Sequence, residues 1–382
     1  MSVSSELYFN GYCALELDNG FDSYIVSRIF TVDNFYEEKI GDEINAITRF
    51  GFRESVKVCK DRLRIFGVTE EKSASDFYNL MGKMHDEGYV FVNHDNITYK
   101  IYLDLIKDII DNKLTGGNPF SLDFKDSLIG NECYFGGLIG ALETDNWLYS
   151  MLSVIGDDAL IDYDLSAVIE NGCISSDPKM LVLNPKIIVL TEGTTDTEFI
   201  KGGFMHFYPH LLPFYHFIDY ENIKPNSGAS ALAHSIKSFA GSGIDNLIIA
   251  LFDNDTTGHK ESDTLNTIEL PKTMKIQHYP DIDILRNYPS ISPDGSLQNV
   301  NVNSLAGSLE MYLGVDLLKD DNGSLYPIIW SSYEFSLEKY QGGLSKLAKE
   351  KIDKSFRIKL KSSKVIWPEF ECLLNMIINA WV

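Results

Sequence analysis

The segments KIIVLTEGTTD (186–196) and NLIIALFDNDTTG (246–258) decide which fold this chain is expected to adopt. Each begins with a short apolar run that contains β-branched residues and continues into a polar turn with acidic residues. A run of this kind is typical of a parallel strand that is buried on both faces of its sheet. FYHFID (214–219) and TMKIQHY (273–279) predict two further strands.

Two helices are predicted between these strands, over residues 197–206 and 227–241. Alternation of strand and helix favours a parallel sheet with helices on both faces, which is an α/β fold. Ligand sites of such sheets lie at the carboxyl ends of the strands. We therefore expect an α/β domain over residues 181–382, with a helical extension at its C-terminal end.

Acidic residues follow two of the predicted strands. Glu192 lies one residue past the first strand, and Asp253 and Asp255 come directly after the third. Side chains two positions apart in a chain that leaves a strand can point to the same side. Carboxylates packed together repel each other and become protonated unless a cation holds them, and their hard oxygen atoms suit Mg²⁺ or Mn²⁺ rather than Zn²⁺. The pattern predicts a metal site built from Glu192, Asp253 and Asp255.

The two turns, VLTEGTTD and LFDNDTTG, resemble the motifs of the Toprim domain, which occurs in primases, topoisomerases and OLD-family nucleases. In that family a glutamate at the end of the first strand lies in an EGxxD-like turn, and a DxD pair ends a later strand. The resemblance covers the chain from about Lys186 onward. It implies a Toprim domain with a Rossmann-like parallel sheet, in which Glu192, Asp253 and Asp255 are catalytic metal ligands.

The resemblance also implies residues beyond these three. OLD-like nucleases hold a second cation with further acids, and Asp196 and Glu310 are the candidates for that role. Asp196 lies one helical turn beyond Glu192, whereas Glu310 has an exposed helical glutamate as its alternative interpretation. A lysine often neutralises transition-state charge in such nucleases. Lys346 enters the predicted catalytic set, although the sequence does not decide between it and Lys349.

Residues 1–180 predict a separate α+β domain. Its opening segment predicts a hairpin that turns at Asn10-Gly11, since this dipeptide readily adopts the positive φ angles of a two-residue turn. Apolar spacing predicts helices over residues 55–64, 73–85 and 147–154.

Two segments of this domain, SELYFNGYCALELDNGFDSYIVSRIF and RESVKVCKDRLRIFGVT, resemble the N-terminal module of HEPN/Toprim-associated proteins, which occur in bacterial conflict systems. The RxxxxH pattern of HEPN ribonucleases is absent from the sequence. The resemblance therefore favours the Toprim version of such proteins and leaves residues 90–180 unassigned.

The net charge of −22 opposes binding to a polyanion. A bound divalent cation would invert the local electrostatic field. Residues 346–364 also contain eight basic residues and only two acidic ones, which predicts either a phosphate-contacting patch or a solvated helix face.

Five scattered cysteines without a CxxC pair argue against disulfides and a zinc site, and they fit a cytoplasmic protein. The N-terminus lacks the features of a secretory signal, and no run of 18 apolar residues occurs, so we expect no membrane interaction.

Together these features predict a Mg²⁺- or Mn²⁺-dependent endonuclease, an effector of antiviral defence that cuts DNA or RNA, tRNA included. A GxxxxGK[ST] loop is absent, so we expect a partner ATPase or sensor protein. Two alternatives stay open: a non-catalytic Toprim subunit that binds nucleic acid or a partner, and a primase-like nucleotidyl transferase. The cysteine-rich zinc motif of a primase is missing, and 382 residues leave no room for the gate domains of a topoisomerase. The sequence leaves the oligomeric state open.

Overall fold

A computed structural model describes residues 3–41, 46–86, 98–112, 142–218, 227–362 and 366–382. The chain forms two compact units: residues 1–185 together with 381–382, and residues 186–380. Among the described residues, none of the helices combines the length and the apolar character that crossing a bilayer requires. The four described cysteines are free thiols, and Cys133 lies outside the described residues.

The N-terminal unit contains a five-stranded antiparallel sheet with the order β2-β1-β5-β4-β3. The predicted hairpin is present, because Asn10 and Gly11 join the first two strands with φ angles of 50° and 77°. The strands are β1 (Ser4–Phe9), β2 (Tyr12–Asp18), β3 (Phe35–Ile40), β4 (Ile47–Ser55) and β5 (Leu160–Asp164).

Helices complete this unit and bury its apolar residues. The predicted helices over 55–64, 73–85 and 147–154 correspond to the second, third and fifth of those observed. The helices are α1 (Ser23–Ile29), α2 (Val56–Arg64), α3 (Glu70–Asp86), α4 (Tyr99–Asp111), α5 (Thr144–Ser153), α6 (Ser166–Glu170) and α7 (Pro178–Leu181). Sheet and helices make this unit α+β, as predicted.

The C-terminal unit contains the four predicted parallel strands, in the order β10-β8-β6-β7. These four strands are β6 (Ile187–Thr191), β7 (Tyr215–Phe217), β8 (Ile248–Phe252) and β10 (Met274–His278), and the two-residue strand β9 (Asn254–Asp255) lies outside this sheet. The two predicted helices are α8 (Thr194–Phe207) and α9 (Ala229–Gly241).

The apolar composition of these strands follows from their burial. All five residues of β8 are buried. Ile248, Ala250 and Phe252 of this strand pack in one cluster with Leu232 and Ile236 of α9. A strand covered on both faces needs apolar side chains at every position rather than at alternate positions, which is why the sequence predicted it.

A second, mixed sheet has the order β12-β11-β14-β15, and β13 pairs with β9. The strands β11 to β15 were not predicted, because most of them are short, most show no simple alternation in burial, and they contain proline, glycine and asparagine. They are β11 (Tyr288–Ile291), β12 (Leu297–Val300), β13 (Ala306–Gly307), β14 (Ile328–Glu334) and β15 (Lys339–Gly343). The remaining helices are α10 (Thr256–Asp263), α11 (Lys346–Ser362) and α12 (Pro368–Ile378).

Candidate functional site

Three neighbouring strands of the parallel sheet end at one edge, and each is followed by a polar side chain. Glu192 follows β6, Asp253 follows β8 and Tyr279 follows β10. The backbone N–H of Tyr279 donates to the carbonyl of Phe252, 3.0 Å away, so the outer strand end stays in register with the central one. Glu192 and Asp253 were predicted, and Tyr279 was not.

Glu192 and Asp253 are held together directly. The backbone N–H of Asp253 donates to Glu192 Oε1 at 2.9 Å. Burial and the charges of Asp255 and Asp196 raise the pKa of Glu192 to about 8, although that N–H acts in the opposite direction. Burial and the neighbouring carboxylates likewise raise the pKa of Asp253 well above its ordinary value. Asp253 Oδ1 is buried and has no hydrogen-bond partner among the described residues.

Asp196 lies in the first turn of α8, where its Oδ2 accepts a hydrogen bond from the N–H of Gly193 at 3.1 Å. Burial and the charge of Glu310 raise the pKa of Asp196 to about 7, and Lys349 acts against them. A carboxylate at a helix N-terminus is ordinarily stabilised in its charged form. The raised pKa therefore shows how strongly burial and the neighbouring acids oppose ionisation here.

Asp255 caps the N-terminus of α10, and both of its carboxylate oxygens accept hydrogen bonds. Oδ1 accepts from the N–H of Gly258 at 2.7 Å, and Oδ2 accepts from the side-chain amide of Gln341 at 2.8 Å. A Cβ atom at position 258 would lie 2.4 Å from the carbonyl oxygen of Asp253. Only glycine permits this close approach, so Gly258 fixes the turn that carries both acids.

Glu310 and Lys349 form an ion pair beside these acids, in which the glutamate is buried and the lysine is partly exposed. Glu310 lies in the short 3-10 helix Leu309–Tyr312 and is 8% exposed, so it is not the exposed helical glutamate of the alternative interpretation. Its Oε2 lies 3.0 Å from Lys349 Nζ and accepts a hydrogen bond from Ser308 Oγ at 2.6 Å. Burial alone would lower the pKa of Lys349, but Glu310, Asp253 and Asp196 raise it above its ordinary value.

The structure distinguishes the two lysines that the sequence left open. The side chain of Lys346 is 92% exposed, and its nearest carboxylate is that of Glu350 on the same helix, 4.0 Å away. Lys349 lies one turn further along α11, where it contacts Glu310 and Ser308. Lys346, predicted as catalytic, thus lies outside the group of acids, and Lys349 lies within it.

The basic run on α11 is largely engaged in ion pairs. Lys351 pairs with Asp321 at 3.5 Å, and Arg357 pairs with Glu198 at 2.7 Å. Lys359 also makes an ion pair, with Asp316. These side chains are committed to acids of the same unit, which favours the interpretation as a solvated helix face over that as a phosphate-contacting patch. Lys364, the last residue of the run, lies outside the described residues.

Two histidines support the acidic turn from behind. The rings of His259 and His278 stack with their centroids 3.9 Å apart. His278 Nδ1 donates to the carbonyl of Asp253 at 3.2 Å, and His259 Nε2 lies 2.9 Å from the side-chain oxygen of Asn254. Burial lowers the pKa of both histidines. The two rings are therefore neutral, and their hydrogen bonds to the carbonyl of Asp253 and to the side chain of Asn254 stabilise this turn.

The residues present suit a divalent cation, although they do not form a closed set of ligands as they stand. Within the described ranges, no three His, Cys, Asp or Glu side chains are arranged as a metal-binding group. Glu192, Asp196 and Asp255 each use a carboxylate oxygen to accept a hydrogen bond from a protein N–H group. Yet the donors are hard oxygens, burial and neighbouring acids raise the pKa values of Glu192, Asp196 and Asp253, and Asp253 Oδ1 has no donor among the described residues.

Comparisons of the chain with protein-family models, with curated proteins and with solved structures gave no match. A function must therefore be argued from the residues at this sheet edge. We refer below to Glu192, Asp196, Asp253, Asp255 and Glu310 as the acidic cluster.

Proposed function

We propose that the chain is a Mg²⁺- or Mn²⁺-dependent endonuclease whose C-terminal unit is a Toprim domain of the OLD-nuclease kind. One observation carries the proposal. At the carboxyl ends of two adjacent parallel strands, burial and neighbouring acids raise the pKa values of Glu192 and Asp253, and one buried oxygen of Asp253 has no donor among the described residues. Natural proteins tolerate such an arrangement chiefly where a ligand compensates it.

The topology supports the Toprim resemblance. The glutamate follows β6 and the DxD pair follows β8, and these strands are parallel neighbours in the middle of the four-stranded sheet. The N-terminal unit supports the resemblance to the HEPN/Toprim-associated module less specifically, through its hairpin and the helix α2.

Each residue of the site has a distinct task in this proposal. Glu192, Asp253 and Asp255 would hold one cation, and Asp196 and Glu310 would contribute to a second. When bound, the metal stabilises the negative charge that develops on the phosphodiester and orients the attacking water. Lys349 holds Glu310 in place and supplies a positive charge that remains at neutral pH, because the acids around it raise its pKa.

The wider context follows from the same resemblance. We propose that the substrate is DNA or RNA, tRNA included, and that the protein is a cytoplasmic effector of antiviral defence. It would act with a partner ATPase or sensor, since the sequence carries no P-loop. A pull-down that recovers no ATPase, together with full activity of the isolated protein, would contradict this part.

A non-catalytic role is the second candidate function, and one observation favours it. Three of the basic side chains on α11 pair with acids of the same unit, and the net charge is −22. An acidic surface of this kind suits docking on a basic partner subunit better than docking on nucleic acid.

Cleavage assays decide between the two. The purified protein is incubated with Mg²⁺ or Mn²⁺ and with plasmid, single-stranded DNA or total tRNA, beside Glu192→Gln and the control Glu350→Gln. Glu350 is an exposed glutamate on α11, so its variant controls for the loss of one acidic charge. The enzyme proposal expects cleavage by wild type and by Glu350→Gln but not by Glu192→Gln. Equal behaviour of all three proteins on every substrate favours the binding role.

A further inference from the structure

Tyr279 occupies the third strand end of the candidate site, next to Asp253 in the order β10-β8-β6. It is only 1% exposed, and its ring packs edge-on against Tyr312 with the centroids 5.4 Å apart. Its hydroxyl has no hydrogen-bond partner among the described residues. A buried hydroxyl without a hydrogen-bond partner destabilises the folded state by about 1–3 kcal/mol. A tyrosine at this position is therefore better explained by a function than by stability.

The electrostatic surroundings indicate where this hydroxyl lies. Burial raises the pKa of Tyr279 well above its ordinary value, and the charges of Asp196, Asp253 and Glu192 raise it further. The phenol is therefore a neutral O–H group within electrostatic range of these three acids. Two unsatisfied polar atoms, this hydroxyl and Asp253 Oδ1, thus occur at adjacent strand ends.

We propose that Tyr279 is a positioning residue of the metal site, donating its hydroxyl hydrogen to an oxygen in the coordination shell of the cation held by Asp253. The inference rests on the proposed metal dependence and adds a residue that the family motifs do not contain. Mg²⁺ keeps several of its waters when it binds to proteins, so a donor behind the ligands has oxygen atoms to contact. Partners of this second layer typically change metal affinity by 10- to 100-fold.

A matched control exists in the same unit. Tyr288 in β11 is also fully buried, and its hydroxyl also lacks a partner among the described residues. Burial alone raises the pKa of Tyr288, with no contribution from an acidic residue. Tyr279→Phe and Tyr288→Phe therefore delete the same group from equally buried places, and only the first deletion lies within electrostatic range of the acidic cluster.

The experiment measures cation binding rather than cleavage. Mg²⁺ and Mn²⁺ are titrated calorimetrically into the wild-type chain, Tyr279→Phe and Tyr288→Phe, and the electron paramagnetic resonance spectrum of bound Mn²⁺ is recorded. Thermal unfolding in EDTA checks that each variant folds. We expect Tyr279→Phe to bind both cations about tenfold more weakly with an altered Mn²⁺ spectrum, and Tyr288→Phe to match wild type.

The possible failures are distinguishable. If wild type binds neither cation at millimolar concentration, both the proposed function and the role of Tyr279 are overturned. If wild type binds and Tyr279→Phe binds equally well with the same Mn²⁺ spectrum, the role of Tyr279 alone is overturned. Equal weakening in both variants would also overturn it, because the effect would then come from loss of packing. If Tyr279→Phe does not fold, a measurement on the wild-type chain takes its place. Tyrosine with a deuterated ring is incorporated, and pulsed electron paramagnetic resonance of bound Mn²⁺ tests for magnetic coupling to the ring deuterons. Absence of this coupling overturns the role of Tyr279.

Discussion

Each unit contains a group of acidic side chains that lie close together, and the two groups differ in how their negative charge is compensated. On the antiparallel sheet of the N-terminal unit, Arg53 contacts Asp162 through two nitrogens, at 2.7 and 2.9 Å, and contacts Glu38 at 2.8 Å. Tyr36 donates to the other oxygen of Asp162 at 2.8 Å, and the guanidinium lies over its ring. Each acid of this network has a cation or a hydroxyl beside it.

The acidic cluster of the C-terminal unit lacks such compensation. Lys349 pairs with Glu310, while Glu192 and Asp196 have raised pKa values of about 8 and 7 and are stabilised mainly by backbone N–H groups. Proteins commonly accept poorly compensated charge at functional sites and compensate it fully elsewhere. The contrast supports the proposal that the acidic cluster, unlike the first network, binds a positive ligand.

The largest expected effect is on cleavage. Glu192→Gln removes a metal ligand and thereby several kcal/mol of transition-state stabilisation, so we expect a loss of about 10³-fold in kcat/KM. Arg53→Met, in the compensated network, should leave kcat/KM unchanged. Steady-state cleavage of the substrate found in the assay above measures both, and an equal loss in the two variants would remove the distinction between the networks.

The lysines provide the next test. Lys349→Met removes the cation that compensates Glu310, and we expect kcat to fall about 10²-fold, as for the loss of one electrostatic contact in an active site. Lys346→Met changes only an exposed side chain and should have no effect. If the Lys346 variant is the impaired one, Lys346 and not Lys349 is the catalytic lysine.

Replacing an acid of the cluster should lower the activity but raise the melting temperature of the metal-free protein. Asp253→Asn replaces a carboxyl group whose ionisation burial and the neighbouring acids oppose, so in EDTA we expect the C-terminal unit to melt at a higher temperature, by roughly 2–4 °C for each kcal/mol of unfolding free energy gained. Mg²⁺ should then stabilise wild type but not this variant. Differential scanning calorimetry with and without Mg²⁺ checks both statements. A lower melting temperature of the variant in EDTA would mean that Asp253 is structural.

The smallest effect is expected in the N-terminal network. Arg53→Met leaves Asp162 and Glu38 without their cation, and because the pairs are partly exposed we expect a loss of only about 1 kcal/mol. Mg²⁺ should not restore it. Calorimetry of the same variant with and without Mg²⁺ provides the measurement, and a rescue by Mg²⁺ would show that this network also binds cations.

The sequence predicted the parts of the fold in which a strand is buried on both of its faces. β6 and β8 are covered on both faces, so their apolar runs and the acids that follow them are visible as patterns. The mixed sheet was missed because its strands lack a regular alternation of apolar and polar residues, and Leu297–Val300 is largely exposed. The fold class and the position of the predicted acids thus follow from local pattern.

Other parts of the site depend on packing that no local pattern encodes. Lys346 and Lys349 are three residues apart on one helix, and only the way α11 packs on the 3-10 helix with Glu310 separates them. Tyr279 is a single tyrosine after a strand, without a surrounding motif. Gln341 comes from β15, 86 positions beyond the Asp255 that it contacts.

That last contact has a consequence for how the site could respond to its surroundings. A cation bound by Asp255, as proposed, would have to share or displace the amide of Gln341, which belongs to the β14–β15 hairpin. Binding of the ion and packing of the hairpin would then be thermodynamically linked, and each would influence the other with the same free energy. The hairpin would therefore be a natural place from which the ion's affinity can be tuned without touching a ligand.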